Sequence, residues 1–346
     1  MSSRGRGSVS SRQYYSTYSG HDTDLLQEVH DELRKTHDSI IFLAGDSSLD
    51  NKFWLGRCED ALNGYENILS PPQMKADVCY WLNFEAVRRG HERICCLNTA
   101  IEATSLNSRM CGCLLGQDAF IRDHIAPNDC LVVSVGGNDI ALAPLLLTIL
   151  NLSALVCLTP QACIEHCACA CPVNSHIDGG CLTCGLPGCV SGFLCGWPPG
   201  MGYFVDLFKN RVQNYVEKLV SRTRPKKVVV CMIYYLDEAN TGSWADGALT
   251  CMCYSCNPGK LQCAIRTVFE LATRRIRIPG TEVVAFPLFK VLDGKTSGDY
   301  VERVEPSVQG GAKMADALMT AVMTGDDLCG DTSGSASSAS SAGQQR

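Results

Sequence analysis

The chain has 346 residues, enough for one large α/β domain or two smaller ones, and its hydrophobic fraction of 46% is ordinary for a globular protein with a large core. Its formal net charge is −6 and its isoelectric point is about 5.7, which argues against a nucleic-acid-binding surface. The 22 cysteines come without a secretory signal and therefore favour free thiols or metal ligands in a reducing compartment. We expect a cytoplasmic protein that does not bind nucleic acid.

The two ends of the chain differ in composition from its centre. Residues 1–23 are rich in Ser, Arg, Tyr and Gly and lack the apolar core of a secretory signal, so they are predicted to be a disordered tail. An organelle transit peptide is the alternative for this segment. Residues 326–346 are of low complexity and are also predicted to be disordered. One folded domain is predicted over residues 24–325.

Within that domain, helical and strand-like patterns alternate along the chain. Strands alternating with helices five times predict a three-layer α/β/α fold with a five-stranded, mostly parallel sheet of the flavodoxin-like type. The predicted elements are a helix over 22–37, a strand over 39–45, a helix over 73–90, a strand over 93–98, a helix over 108–125, a strand over 129–139, an apolar helix over 140–158, a helix over 202–222, a strand over 226–235, a helix over 258–276, a strand over 281–288 and a helix over 310–323.

The apolar stretch 140–158 carries no charge and just reaches the length that spans a bilayer. Pro144, Thr148, Asn151 and Ser153 interrupt it, so a buried helix packed on the sheet is the preferred interpretation. No firm membrane span is therefore predicted.

Polar residues stand where two of the predicted strands end. Asp46 and Ser47 follow the first strand, and Asn138 follows the third. Ligands of parallel α/β sheets bind beyond the carboxyl ends of the strands, so these residues are predicted to share a site. The alternatives are that Ser47 caps a following helix and that Asn138 is only a turn residue.

Three short blocks carry a family resemblance. They are "GDSS" at 45–48, "GGND" at 136–139 and "EPSVQGGAKMA" at 305–315. In this order, and at strand ends or the start of the last helix, they resemble the SGNH or GDSL-type hydrolases over roughly residues 38–324. That family comprises esterases, lipases and acetylhydrolases on a three-layer α/β/α fold. The resemblance implies a serine nucleophile and an oxyanion hole.

Carried over residue by residue, the resemblance makes Ser47 the nucleophile and Asn138 an oxyanion donor together with backbone N–H groups. Asp46 and Gly137 flank these two positions as supporting residues. The glycine of the family's second block has its nearest counterpart in Ala103, whose N–H would still serve if its backbone angle tolerates a Cβ.

The last block departs from the family, which has Asp-x-x-His-Pro. Here "ERVEPS" places Glu305 at the histidine and Glu302 at the aspartate, and no histidine occurs after His176. A glutamate is about two pKa units less basic than a histidine, but burial or a neighbouring carboxylate raises its pKa. We therefore predict that Glu305 acts as base, that Glu302 shares a proton with it, and that activity peaks on the acidic side of neutrality.

Other interpretations of this block stay open. Glu305 would be a surface acid near the start of the last helix, where negative charge suits the helix dipole. A histidine from elsewhere, His91 or His124, would supply the base instead. Asp299 is a further candidate for the orienting acid.

A cysteine-rich insertion is predicted at residues 157–200. Cys181 and Cys184 have a chelate spacing, and Cys167 and Cys169 would complete a structural zinc site. A disulfide-bonded flap and a loop without a selected role are the alternatives. No other cofactor is required by the sequence.

The function predicted from the sequence is ester hydrolysis through a serine acyl-enzyme, on a small-molecule, lipid or glycan ester. The alternative is a catalytically impaired relative that binds an acyl or glycan ligand in the same cleft. A metal-ordered interaction protein is a third class, and it depends on the cysteine-rich segment alone.

Overall fold

A parallel sheet of five strands lies at the centre of the molecule. The computed structural model describes residues 9–109, 113–141, 146–172 and 195–325. The strands run in the spatial order β2-β1-β3-β4-β5, and every neighbouring pair is parallel. This is the flavodoxin-like order, so the predicted fold class is confirmed. The strands are β1 (Ser39–Gly45), β2 (Ile94–Asn98), β3 (Cys130–Ser134), β4 (Lys227–Met232) and β5 (Glu282–Pro287).

Strand β1 is apolar on both faces because helices cover both sides of the sheet. Ile40 and Phe42 belong to one hydrophobic core, whereas Ile41 and Leu43 belong to the other, and all four are 0% exposed. The alternation follows from the two-residue period of a strand. The continuous aliphatic run therefore marks a central parallel strand, as predicted.

The helices divide between the two faces of the sheet. Helices α1, α3, α5, α6 and α8 contribute to the first core, while α2 and α9 contribute to the second. The helices are α1 (Thr23–Arg34), α2 (Val78–Arg88), α3 (Gly116–His124), α4 (Leu146–Leu152), α5 (Met201–Val205), α6 (Val212–Leu219), α7 (Asp246–Cys251), α8 (Pro258–Leu271) and α9 (Val308–Thr324).

Shorter elements connect these layers. Two-stranded pairs are formed by Val9–Ser10 with Leu69–Ser70, Cys58–Asp60 with Gln73–Lys75, Cys169–Ala170 with Gly196–Trp197, and Tyr300–Val301 with Glu305–Pro306. Short α-helices are Ser11–Tyr14, Tyr65–Ile68, Gly137–Ala141 and Gln161–His166, and π-helical segments are Ser153–Leu158 and Asp206–Arg211. The 3-10 turns are Lys52–Trp54, Asn107–Arg109, Thr273–Arg275, Leu288–Lys290 and Ser297–Asp299.

Caps set several helix boundaries. The Asp77 carboxylate accepts a hydrogen bond from Tyr80 N–H at 2.8 Å, which starts α2 at Val78 rather than at the predicted residue 73. The Ser307 hydroxyl accepts from Gly310 N–H at the start of α9, and Gly325 ends that helix at φ 76°.

Two predicted helices are described only in part. Of the predicted helix over 108–125, residues 110–112 lie outside the described residues, and α3 begins at Gly116 after a 3-10 turn at Asn107–Arg109. Of the apolar stretch 140–158, residues 142–145 lie outside the described residues, and α4 continues directly into the π-helical segment Ser153–Leu158. Within the described ranges, no helix combines the length and apolarity needed to cross a bilayer.

Residues 9–23 are folded onto the domain, unlike the disordered tail that the composition predicts for residues 1–23, and residues 1–8 lie outside the described residues. Val9–Ser10 pairs with Leu69–Ser70, and the Tyr14 ring stacks on His21 with centroids 4.0 Å apart. Tyr14 is 2% exposed and His21 is 1% exposed. These aromatic contacts bury the segment although its composition is polar. The predicted tail over 326–346 lies outside the described residues.

Candidate active site

The sheet order reverses between β1 and β3, and polar residues follow both strands at this switch point. Gly45 pairs with Ser134 at the carboxyl ends. A Cβ on Gly45, whose φ is 143°, would lie 1.8 Å from the Ser134 carbonyl oxygen, so only glycine allows this close approach. The chain therefore delivers Asp46 and Ser47 to the position where ligands of such sheets bind.

Asp46, rather than Ser47, caps the turn that follows β1. Its Oδ1 accepts hydrogen bonds from Ser48 N–H at 3.1 Å and from Ser48 Oγ at 2.7 Å. Ser47 Oγ instead donates to Glu305 Oε1 at 2.9 Å, across 258 residues of sequence. Ser47 N–H donates to no acceptor among the described residues. The predicted serine and the predicted base are thus in direct contact.

Glu305 is held by the strand pair Tyr300–Val301 with Glu305–Pro306. Asn51, in the loop after β1, donates its amide to the Pro306 carbonyl at 2.9 Å. Arg303 is 1% exposed, and its guanidinium donates to the Asp237 carbonyl and to Asp246 Oδ1 at 2.6 Å. These anchors fix the carboxylate of Glu305 relative to the serine.

Burial dominates the electrostatics of Glu305. The residue is 5% exposed, so it is not the surface acid of the alternative interpretation. Burial first, and then the charges of Asp46, Glu102 and Asp50, raise its pKa to about 8, although the hydrogen bond from Ser47 lowers it. At such a pKa most Glu305 side chains would be protonated at neutral pH, which argues against the predicted activity peak on the acidic side.

Glu302 was predicted to share a proton with Glu305, but no hydrogen bond joins the two side chains among the described residues. Its backbone is left-handed at φ 51°, and its Oε2 accepts from Trp244 N–H at 3.3 Å. Among the hydrogen bonds of the described residues, none joins the two glutamates. The reason is that Glu302 lies in the turn between the paired residues Val301 and Glu305, which directs it towards the loop that contains Trp244.

Asp299, the other candidate for the orienting acid, binds side chains of α9 rather than Glu305. Its carboxylate accepts from Lys313 Nζ at 2.7 Å and from Gln309 Nε2 at 2.9 Å, which ties the strand pair to α9. It is thus placed as an anchor of the last helix rather than against the Ser47–Glu305 pair.

Asn138 connects the loops after β2 and β3. Its Nδ2 donates to the Thr104 carbonyl at 2.9 Å, and no second acceptor for this amide is found among the described residues. Ala103, next to Thr104, has φ 58°, the left-handed conformation that glycine adopts most easily. The backbone at Ala103 is therefore of the kind that the family glycine would provide.

Gly137, which was predicted as a supporting residue, lines the cavity but does not itself require glycine. A Cβ on Gly137 would meet only ordinary contacts, the nearest at 3.8 Å from Ile233. Gly136 has φ 103°, and its Cβ would lie 2.7 Å from the Phe208 ring. Gly136 is thus the residue that requires glycine, because both its backbone angle and its neighbour exclude a side chain.

The alternative histidine bases are at the wrong edge of the sheet. His91 precedes β2 and His124 precedes β3, so both lie near the amino ends of the strands. His124 Nδ1 contacts the Phe120 carbonyl at 2.8 Å, and its ring stacks on Phe120. Ser47 follows the carboxyl end of β1, so neither histidine approaches its hydroxyl.

A cavity of about 110 Å³ opens beside the serine. Its polar lining comes from the residues of the site, Asp46, Ser47, Ser48, Ser134, Asn138 and Glu305. The remaining walls are mainly apolar and come from the α4, α5, α7 and α8 regions. The site therefore combines a polar end with mainly apolar walls.

The predicted zinc site is only partly within the described residues. Cys167 and Cys169 are exposed, and Cys181 and Cys184 lie outside the described ranges. In the described part of the chain, no group of three or more His, Cys, Asp or Glu side chains is arranged to hold a metal ion. Structural zinc in the insertion remains a proposal.

Several residues of the site carry no motif in the sequence. Asp50 is 0% exposed and accepts hydrogen bonds from Gly20 N–H, Glu102 N–H and Lys52 Nζ at 2.8, 2.9 and 2.6 Å. It thereby joins the N-terminal segment, the loop after β1 and the loop that contains Ala103. Only the long-range fold brings these segments together, so no local pattern indicates the connection.

Comparisons with known proteins identify similar structures but not a close relative. No family model matches the chain, and no curated protein matches it. A GDSL-like lipase from Parabacteroides merdae ATCC 43184 is similar in structure, with 14% identity and a TM-score of 0.42, over 84% of this chain and 97% of that one.

Two further solved structures are similar. A carbohydrate esterase of family 3 from Talaromyces cellulolyticus has 9% identity and a TM-score of 0.36, over 82% of this chain and 96% of that one. Phospholipase A1 from Streptomyces albidoflavus NA297 has 10% identity and a TM-score of 0.37, over 82% and 98% respectively. Identity and TM-score are low in all three, so the function proposed for this chain rests on its own residues.

Proposed function

We propose that the protein is an ester hydrolase that acts through a serine acyl-enzyme. The observation that carries this proposal is the 2.9 Å hydrogen bond from Ser47 Oγ to Glu305 Oε1 at the polar end of the cavity. A hydroxyl needs a base within hydrogen-bond reach to become a nucleophile at ordinary pH, and Glu305 meets that geometric condition.

The reaction follows from the positions of these groups. Ser47 Oγ attacks the ester carbonyl carbon while its proton passes to Glu305 Oε1. Asn138 Nδ2 and the N–H groups of Ser47 and Ala103 would donate to the oxyanion that develops. Glu305 then returns the proton to the leaving alcohol. In the second half of the reaction, water attacks the acyl-enzyme and gives its proton to Glu305. Glu305 returns this proton to Ser47 Oγ as the acid product is released.

The raised pKa of Glu305 has two opposite effects on this reaction. A pKa of about 8 makes the carboxylate a stronger base than an ordinary glutamate, which favours proton transfer from the serine. The same value leaves most of the enzyme protonated, and inactive, at neutral pH. We therefore expect activity to rise through the alkaline range.

A serine-directed fluorophosphonate tests the proposal. Wild-type protein is expected to be labelled on Ser47, faster at pH 9 than at pH 6, while Ser47→Ala abolishes labelling. Ser221→Ala, at an exposed position after α6, is the matched control and should label like the wild type. Absence of labelling at both pH values would contradict the proposal and favour the alternative of a binding protein that uses the same cleft.

A further inference from the structure

We infer that the cavity beside Ser47 binds the acyl group of the substrate and that this group is an aliphatic chain. This inference rests on the proposed ester hydrolysis, since it assigns the acyl side of that ester. The first observation is continuity, because the cavity is lined by Ser47, Asn138 and Glu305 at one end and by apolar side chains beyond them.

The apolar walls are made of core residues. Leu155, Phe208, Leu249 and Val268 line the cavity and are each at most 3% exposed, so the walls belong to the packed interior. Burying a methylene group in such surroundings is favourable in proportion to the apolar surface removed from water. An aliphatic chain attached to the reacting carbonyl would therefore pack against these walls.

A sugar does not fit the same walls. Its hydroxyl groups would lose their hydrogen bonds to water, and the walls offer few replacements. The hydroxyl of Tyr234, which lines the cavity, already donates to the Val304 carbonyl at 2.6 Å. The cavity therefore favours an aliphatic acyl group over a sugar as the part of the substrate that it encloses.

Chain-length selectivity tests the inference. With p-nitrophenyl acetate, butyrate and octanoate, kcat/KM of the wild type is expected to rise by about fourfold for each added methylene until the cavity is filled. Ala264 is 4% exposed and lines the cavity from α8, so Ala264→Leu should lower the octanoate-to-acetate ratio of kcat/KM by about tenfold. Ala312→Leu, on α9 and outside the cavity lining, is the matched control and should leave the ratio unchanged.

The outcomes separate this inference from the proposed function. The acyl assignment would be overturned if acetate is hydrolysed but kcat/KM stays flat or falls with chain length. It would also be overturned if Ala264→Leu keeps the wild-type octanoate-to-acetate ratio of kcat/KM. Either result would leave the proposed esterase activity unaffected. If the wild type hydrolyses none of the esters, calorimetric titration with decanoate decides. Binding that Ala264→Leu weakens supports the inference, and no binding to the wild type overturns it.

A second inference comes from two thiols outside the site. Cys157 Sγ and Cys253 Sγ are 3.2 Å apart, although 96 residues separate them in the chain. Cys157 is exposed and belongs to the π-helical segment Ser153–Leu158, while Cys253 is half-buried and follows α7. The two thiols lie on segments that form different walls of the cavity, because the nearby residues Leu155 and Met252 both line it.

We propose that Cys157 and Cys253 are a modification site at which a small-molecule disulfide such as oxidised glutathione forms an internal disulfide. The Cys157 thiolate attacks one glutathione sulfur and expels the other as a thiolate. Cys253, as its thiolate, then attacks the Cys157 sulfur of the mixed disulfide and expels the second glutathione thiolate. Two protein thiols are oxidised, one glutathione disulfide is reduced to two thiols, and the sulfurs need to approach by only about 1 Å to reach bonding distance.

Peptide mass spectrometry of the folded protein tests this proposal after treatment with oxidised glutathione. A cross-linked peptide that contains Cys157 and Cys253, lighter by two hydrogens than the sum of its parts, is expected in the wild type and should disappear on reduction. Cys157→Ser and Cys253→Ser should both lose it, whereas Cys256→Ser, at an exposed neighbouring cysteine, should keep it. Failure to form this cross-link, or cross-linking of Cys157 to other cysteines instead, would overturn the proposal without affecting the proposed function.

Discussion

Ala103 shows at the scale of one residue how an alanine can hold the left-handed backbone that glycine adopts most easily. Its φ of 58° is a conformation that an alanine adopts at a cost of about 1–2 kcal/mol. The next residue, Thr104, accepts the hydrogen bond from Asn138. The strain is thus located in the loop that accepts the Asn138 hydrogen bond, next to the site, where strained residues are often found.

Replacing Ala103 with glycine should relieve that strain. We expect Ala103→Gly to raise the free energy of unfolding by about 0.5 kcal/mol, because the relief exceeds the added entropy of the unfolded chain. Urea denaturation measures this effect. Ala119→Gly, inside α3, is the control and should destabilise by about 1 kcal/mol, as glycine does in a helix. Equal destabilisation by both substitutions would show that the left-handed geometry at Ala103 carries no strain.

At the scale of elements, the buried pair of Asp50 and Lys52 connects three segments around the site. Lys52 is 2% exposed, and its Nζ lies 2.6 Å from Asp50 Oδ1. The other oxygen of Asp50 accepts the N–H of Gly20 and the N–H of Glu102. A buried pair of this kind contributes less through attraction than its loss would cost, because the partner left behind is charged and buried.

A double-mutant cycle tests that account of the pair. Asp50→Asn alone should destabilise by about 3–5 kcal/mol, since it leaves the Lys52 ammonium without its counter-charge. The double substitution Asp50→Asn with Lys52→Met should destabilise less than Asp50→Asn alone. Thermal unfolding measured for the two single variants and the double variant decides. Strictly additive effects would mean that the pair is not coupled.

The sequence predicts the elements that are locally determined and fails where distant contacts decide. Strand β1 has its predicted bounds because a continuous aliphatic run has few other structures available, and Ser47 and Glu305 meet as the family blocks imply. The N-terminal segment was predicted to be disordered because its polar composition does not show that Tyr14 stacks on His21. The size of the rise in the pKa of Glu305 was also beyond the sequence, because it comes first from burial in the folded chain and then from Asp46, Glu102 and Asp50 on two other loops.

At the scale of the whole molecule, buried carboxyl groups make stability depend on pH. Burial is the largest cause that raises the pKa of Asp46 and Asp77 to about 6, of Glu102 to about 7 and of Glu305 to about 8. The folded protein therefore holds protons that the unfolded chain releases near pH 4. Their stabilising contribution is complete below that pH and is lost as pH rises through the folded pKa values.

We expect the free energy of unfolding to fall by about 3 kcal/mol or more between pH 5 and pH 8. Glu305→Gln should remove part of this dependence, with about 2–4 kcal/mol of added stability at pH 8 and little at pH 5. Glu66→Gln, at an exposed position in the short helix Tyr65–Ile68, is the control and should follow the wild type. Urea midpoints at the two pH values provide the comparison. A free energy of unfolding that increases towards pH 8 would contradict the raised pKa values of these buried carboxyl groups.

The pH dependence of kcat/KM for an ester substrate, in the wild type and in Glu305→Gln, tests most directly whether Glu305 is the base for Ser47. If Glu305 is this base, kcat/KM of the wild type should rise with a single ionisation near pH 8. Glu305→Gln should lower kcat/KM by at least about a hundredfold and remove that ionisation. A wild-type midpoint near 6.5, the ordinary pKa of histidine, or an unchanged profile in Glu305→Gln would contradict it.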